Sequence, residues 1–133
     1  AQADIVIDAD FILGVQQFAR QVVIAPHIQD YVTRLILSTH ANSDYAPVWV
    51  SDDILVGASP RAAQAIVSCA KVAAIIDGRF AVSHRDIRSI AVPALQHRLV
   101  RTFEAELSGR TAGSMVDRLL GELPTYLIGG SDV

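Results

Sequence analysis

The apolar positions of this chain step mostly by three and four, the spacing that gathers side chains on one face of an α-helix. Ile12, Val15, Phe18 and Ala19 form the first such stripe, with Asp8 or Asp10 placed to cap it and an extended lead-in over residues 1–7. Val22-Val23-Ile24 interrupts the pattern. Pro26 then opens a second helix in which Ile28, Tyr31, Val32, Leu35, Ile36 and Thr39 share a face, ending near His40-Ala41-Asn42. Residues 43–56 lack a helical period and read as a loop with one short extended piece around Val48-Trp49-Val50.

A third helix is predicted from residue 60 to about 76. Ser59 is a favourable N-cap and Pro60 suits the first helical position, where its missing N–H costs nothing. Ala62, Ala65, Ile66, Cys69, Val72, Ala73 and Ile76 form its expected buried stripe, and Arg61, Gln64, Ser68 and Lys71 its polar side. Asp77-Gly78 closes it, with glycine where a left-handed backbone is preferred. Phe80-Ala81-Val82 suits a short strand. Ser83 and Asp86 then resemble a capping box for a helix that turns Ile87, Ile90 and Ala91 inward. After Pro93 the chain either continues as a short helix or becomes extended. Met115, Val116, Leu119, Leu120 and Leu123 mark a last helix that stops at Pro124, and residues 125–133, with Gly129-Gly130-Ser131, read as a loose tail. The expected fold is mostly α, a small helical bundle over residues 8–124 with at most a short β element.

Composition narrows the class. With 133 residues, 51% hydrophobic and 19% charged, the chain can bury an ordinary core and is not a disordered segment. No apolar run reaches the ~18 residues of a membrane span, and the amino terminus shows no signal-peptide pattern, so a cytoplasmic protein without a membrane partner is expected. Cys69 stands alone, which excludes an internal disulfide, and its place in the stripe predicts a small buried hydrophobe.

The net charge of −3 weighs against a nonspecific nucleic-acid binder. Six of the eleven basic residues nevertheless fall between Arg79 and Arg110. A basic stripe of Arg79, Arg85, Arg88, Arg98 and Arg101 beside short helices is the alternative reading, a helical nucleic-acid module. Interleaved Asp77 and Asp86 count against it, and no nucleic-acid partner is expected. A protein-interaction bundle without a nucleotide role would keep the same fold.

Catalytic motifs are missing. There is no G-x-x-x-x-G-K-[ST] loop, no H-E-x-x-H, no C-x-x-C and no G-x-S-x-G. His27, His40, His84 and His97 are widely separated in sequence and read as surface or cap residues, and the adjacent Asp52-Asp53 as solvated. Neither a metal site nor a complete catalytic set is expected of this chain by itself.

One residue resists this plain reading. Arg61 falls at the second position of the third helix, where the macrodipole is positive and an added cation costs on the order of 0.3 to 1 kcal/mol. Helix stability therefore does not explain it. Free N–H groups and a guanidinium together make an anion site suited to phosphate, whereas a nearby carboxylate would make Arg61 half of an ion pair.

The segment Gly57-Ala58-Ser59-Pro60-Arg61-Ala62, followed by Ala70-Lys71-Val72-Ala73, Asp77-Gly78-Arg79, Val82, Asp86-Ile87, Pro93-Ala94-Leu95 and His97-Arg98-Leu99, resembles the carboxy-terminal lid of the MoxR family of AAA+ ATPases. Its flanks agree: Phe18-Ala19-Arg20-Gln21-Val22 precedes Asp30-Tyr31-Val32, and Phe103-Glu104-Ala105-Glu106 precedes Leu123-Pro124. The resemblance implies that Arg61 is the sensor-2 arginine approaching the terminal phosphates, with Ser59 and Pro60 building the helix start. It also implies ATP and Mg2+ held mainly by a nucleotide-binding core preceding Ala1, a ring of subunits, a hexamer, and chaperone-like action on a client protein. Two segments depart from the family pattern. Residues 43–56 match none of its elements, and Phe80-Ala81-Val82-Ser83-His84 stands where an aspartate, an aromatic and a threonine-proline cap are more usual.

Overall fold

In the computed structural model, which describes residues 4–126, the helices begin where the local chemistry signals a start. Helix α1 (Ala9–Gln21) is capped by Asp8, whose carboxylate accepts the Phe11 N–H at 2.8 Å. Helix α2 (Pro26–Leu37) opens on its proline. A single helical turn, α3 (Val50–Asp53), leads into β1 (Ile54–Val56) and then α4 (Pro60–Ile76). The Ser83–Asp86 capping box starts α5 (His84–Leu95), which runs through Pro93 and gives way to β2 (Val100–Arg101). Thr102 and Thr111 cap α6 (Phe103–Leu107) and α7 (Ala112–Glu122). Residues 1–3 of the lead-in and 127–133 of the tail, Gly129-Gly130-Ser131 included, lie outside the described residues.

The fold is mostly α, with one two-stranded antiparallel sheet among the described residues. In that sheet Ile54 faces Arg101 and Val56 faces Val100, with a slip in register between them. The strand expected at Phe80-Ala81-Val82 is a single parallel bridge: Val23 donates to the Phe80 carbonyl at 3.0 Å, and Val82 to that of Val23 at 2.9 Å. The core lies where α4 packs on α2 and α5, and α5 on α7. Leu35, Ile66, Ile87, Leu95 and Leu119 are fully buried there, each contributing about 1.5 to 3 kcal/mol. No helix among the described residues is long and apolar enough to cross a membrane.

Packing overrides the sequence pattern at three places. In α4 the buried ridge is Ala62, Ile66, Ala70 and Ala74, a step of four, while Cys69 is exposed and Ile76 is 79% exposed. Small apolar residues surround this helix on several sides, so its own amphipathicity is weak and its neighbours choose the ridge that lets backbones approach. Helix α1 buries none of its residues, so Ile12 and Phe18 of the predicted stripe stay exposed, with Phe18 set edge-on to Phe80 at 5.8 Å. The extended piece placed at Val48-Trp49-Val50 is instead the start of a helical turn. Extension begins at Ile54, where β2 supplies hydrogen bonds that the local sequence does not announce.

Candidate functional site

The start of α4 is built by close approach. Gly57 follows β1 directly, and a Cβ there would sit 2.6 Å from the Thr39 carbonyl oxygen and 2.7 Å from its Oγ1. Only glycine lets the two backbones come so near. The next residue, Ala58, is fully buried; its N–H donates to Thr39 Oγ1 at 2.9 Å, and its carbonyl accepts from His40 Nε2 at 2.8 Å. Thr39 Oγ1 in turn donates to the Ile36 carbonyl at 2.6 Å. The turn that closes α2 thus grips the peptide immediately before α4.

Ser59 occupies the N-cap with extended backbone (φ −79°, ψ 164°) and Pro60 the first position, as the sequence indicates. The expected side-chain cap is absent, because the Ser59 hydroxyl makes no bond to the first turn. Its carbonyl takes the Ala62 N–H at 2.8 Å instead. Arg61 is exposed one residue beyond Pro60, and no carboxylate among the described residues lies within ion-pair distance of it. A solvent-facing guanidinium therefore stands beside a helix N-terminus that no side chain of Ser59 closes, an arrangement able to take an anion.

The other arginines are mostly committed within the fold. Arg79 holds Asp86 and Asp77, Arg88 donates to the Leu120 carbonyl at 2.7 Å, and Arg101 binds the Arg110 carbonyl and Glu106. Of the five residues of the proposed basic stripe, three are thus occupied internally. Asp53, expected to be solvated, is 4% exposed and paired with Arg110 at 2.9 Å. Its neighbour Asp52 stays exposed.

The fold also joins two of the histidines. His27 at the start of α2 and His84 at the start of α5 lie with ring centroids 5.5 Å apart, and Tyr31 and Tyr126 complete the group. Burial, then the neighbouring His27, pushes the His84 imidazole below its ordinary value; a hydrogen bond with the Thr125 backbone opposes them. Buried Arg34 donates to the carbonyls of Pro124 and Thr125 at 2.6 and 3.2 Å, fixing the chain as it leaves α7. Arg34 is not among the apolar positions that step by three and four along α2, so periodicity does not single it out. Thr39 stands on the predicted apolar face and His40 reads as a surface or cap residue, but nothing local links either to Gly57-Ala58. No group of three or more His, Cys, Asp or Glu side chains among the described residues is arranged to hold a metal ion.

A helical bundle with a small β element, leading through a glycine-pinned junction into a long helix that carries Arg61 in its first turn, has the build of an AAA+ lid. The chain belongs to the AAA lid domain family, which matches residues 48–119, and is of the MoxR type. It is 28% identical over 119 residues to Chaperone MoxR1 of Mycobacterium tuberculosis, covering 90% of this chain and 32% of that protein. The crystal structure of a candidate ATPase from Cytophaga hutchinsonii matches with a TM-score of 0.82 and 27% identity, over 86% of this chain and 35% of that one. The chain therefore spans about a third of the length of these relatives.

Proposed function

We propose that this domain, over residues 8–124, is the nucleotide-sensing lid of a cytoplasmic AAA+ ATPase, with Arg61 as its sensor-2 arginine. The observation that carries this reading is an exposed arginine with no ion-pair partner, placed where the helix dipole disfavours a cation. Ser59 and Pro60 begin the helix that carries it. Arg61 would offer its guanidinium to a terminal phosphate oxygen, steadying charge as the phosphoryl group transfers. ATP and Mg2+ would be held by the remaining two-thirds of a full-length protein of the relatives' size. A charge-assisted contact of this kind shifts a two-state lid by about 1.5 to 3 kcal/mol, enough to link nucleotide state to lid position.

The exposed apolar residues of α1 suit contact with that ATPase core or with a neighbouring subunit of a hexameric ring. Resemblance to a protein named a chaperone supports remodelling or activation of a client protein as the output of the cycle. The reading is tested by nucleotide affinity of the full-length protein. Arg61→Ala should weaken ATP binding more than ADP binding; an equal effect on both, or none, would count against it.

A further inference from the structure

We propose that Thr39 and His40 are positioning residues for Arg61, acting through the Gly57–Ala58 peptide. The inference rests on the phosphate-sensing reading of Arg61. Thr39 is fully buried at the end of α2, yet its hydroxyl is spent on a segment of a different element: it accepts the Ala58 N–H while donating to the Ile36 carbonyl. With both roles used, the hydroxyl can neither rotate nor exchange partners with water. His40 adds the complementary bond, its Nε2–H donating to the Ala58 carbonyl, so both polar groups of this residue are held from α2.

Gly57 completes the grip, since its Cα lies against Thr39 and His40 more closely than any side chain allows. Four residues after Gly57 comes Arg61, and between them stand only Ala58, Ser59 and Pro60, the last with a ring-fixed φ. Ser59 contributes no side-chain cap that could fix the first turn independently. The direction in which Arg61 leaves the bundle is consequently set by α2, and a loosened Ala58 would let the first turn of α4 fray. Helix ends without caps fray readily, and a displaced guanidinium loses most of its effect on a transition state.

The test is steady-state ATP turnover of the full-length protein carrying Thr39→Val, Thr39→Ser, His40→Leu or His40→Gln, each alone and combined with Arg61→Ala. Thr39→Val and His40→Leu should lower kcat by about tenfold. Thr39→Ser and His40→Gln, which keep a hydrogen-bonding group, should restore most of it. In the Arg61→Ala background, Thr39→Val and His40→Leu should slow turnover no further, because they act through the missing guanidinium. His40 is exposed, so His40→Leu carries the test if buried Thr39→Val does not fold. Unchanged turnover in His40→Leu and Thr39→Val alongside a slowed Arg61→Ala would overturn the positioning role alone. Losses that multiply with that of Arg61→Ala would overturn it too. Normal turnover in Arg61→Ala would remove the reading on which it rests.

Discussion

Arg79 and Asp86 meet in a two-pronged ion pair, Nη1 lying 2.9 Å from Oδ2 and Nη2 2.6 Å from Oδ1. Arg79 is placed for this by the end of α4, where Gly78 turns left-handed (φ +72°) and returns its N–H to the Ile75 carbonyl, while the Arg79 N–H reaches back to that of Ala74. Asp86 is the third residue of α5 and also accepts from the Ser83 N–H at 2.8 Å. One carboxylate thereby closes a helix start and ties it to the preceding helix end. Arg79→Met leaves a buried carboxylate unpaired and should destabilise the domain, though less than breaking a fully buried pair would because the guanidinium is partly in water. Urea denaturation at neutral pH measures this.

The same pair governs acid sensitivity. Hydrogen bonds from Arg79, opposed by burial and assisted by Ser83, hold the Asp86 carboxyl down to about 2 from an ordinary 3.8. A depressed carboxyl stabilises the fold above its unfolded value, and that contribution is lost as pH falls from about 4 through 2. In Arg79→Met this acid limb should flatten. Denaturation midpoints between pH 5 and 2 compare the two proteins, and parallel curves would contradict the assignment.

His84 acts in a milder range. Its value is lowered mainly by burial, so the fold prefers the neutral ring, and protonation favours the unfolded chain. Stability should therefore decline as pH drops below the ordinary 6.5. His27, Arg34 and Arg88 all face His84 with actual or potential positive charge and reinforce the effect. His84→Gln should lose part of this decline, which denaturation at pH 7.5 and 5.5 would register. An NMR titration of the His84 ring should show a midpoint below 6.5.

Gly57→Ala should cost about 1 to 3 kcal/mol, the usual price of overpacking, because the new Cβ would collide with the Thr39 backbone rather than with a side chain that can turn away. The thermal midpoint of the purified domain reports it. Gly14, whose Cβ would meet nothing within 4 Å, is the control: Gly14→Ala in the interior of α1 should be neutral or stabilising.

Trp49, the sole tryptophan, provides an optical probe of the loop before α3. Its Nε1–H donates to Glu122 at 2.9 Å, and the Arg118 guanidinium lies 4.4 Å from its ring centroid. The Trp49 hydrogen bond, followed by Arg118, depresses the Glu122 carboxyl below 4.5. Tryptophan emission should shift on acidification with a midpoint below 4.5, and Glu122→Gln should abolish that transition.

The helix starts were legible because their signals are local: Asp8 before α1, Pro26 in α2, Ser59-Pro60 at α4 and the Ser83–Asp86 box at α5 each act within one turn. The α4 end at Asp77-Gly78 was legible for the same reason. Pairings between distant segments were not. Nothing in Asp52-Asp53 announces that Arg110 will neutralise one of the two, and nothing in His27 announces His84. Cys69 shows the limit of periodicity: among so many small apolar neighbours, the buried face of α4 is chosen by α2 and α5. At the candidate site, the position of Arg61 in its helix could be read from sequence, whereas the Thr39–His40 grip behind it required the fold.

If Arg61 meets a nucleotide phosphate, hydrolysis must slow when its guanidinium is removed. Single-turnover ATP hydrolysis by the full-length protein, with Arg61 intact, as Arg61→Lys and as Arg61→Ala, tests it most directly. Arg61→Ala should lose about tenfold or more, equivalent to about 1.4 kcal/mol of barrier, with only partial recovery in Arg61→Lys because lysine cannot make a two-pronged contact. Hydrolysis at the original rate in Arg61→Ala would contradict the phosphate contact.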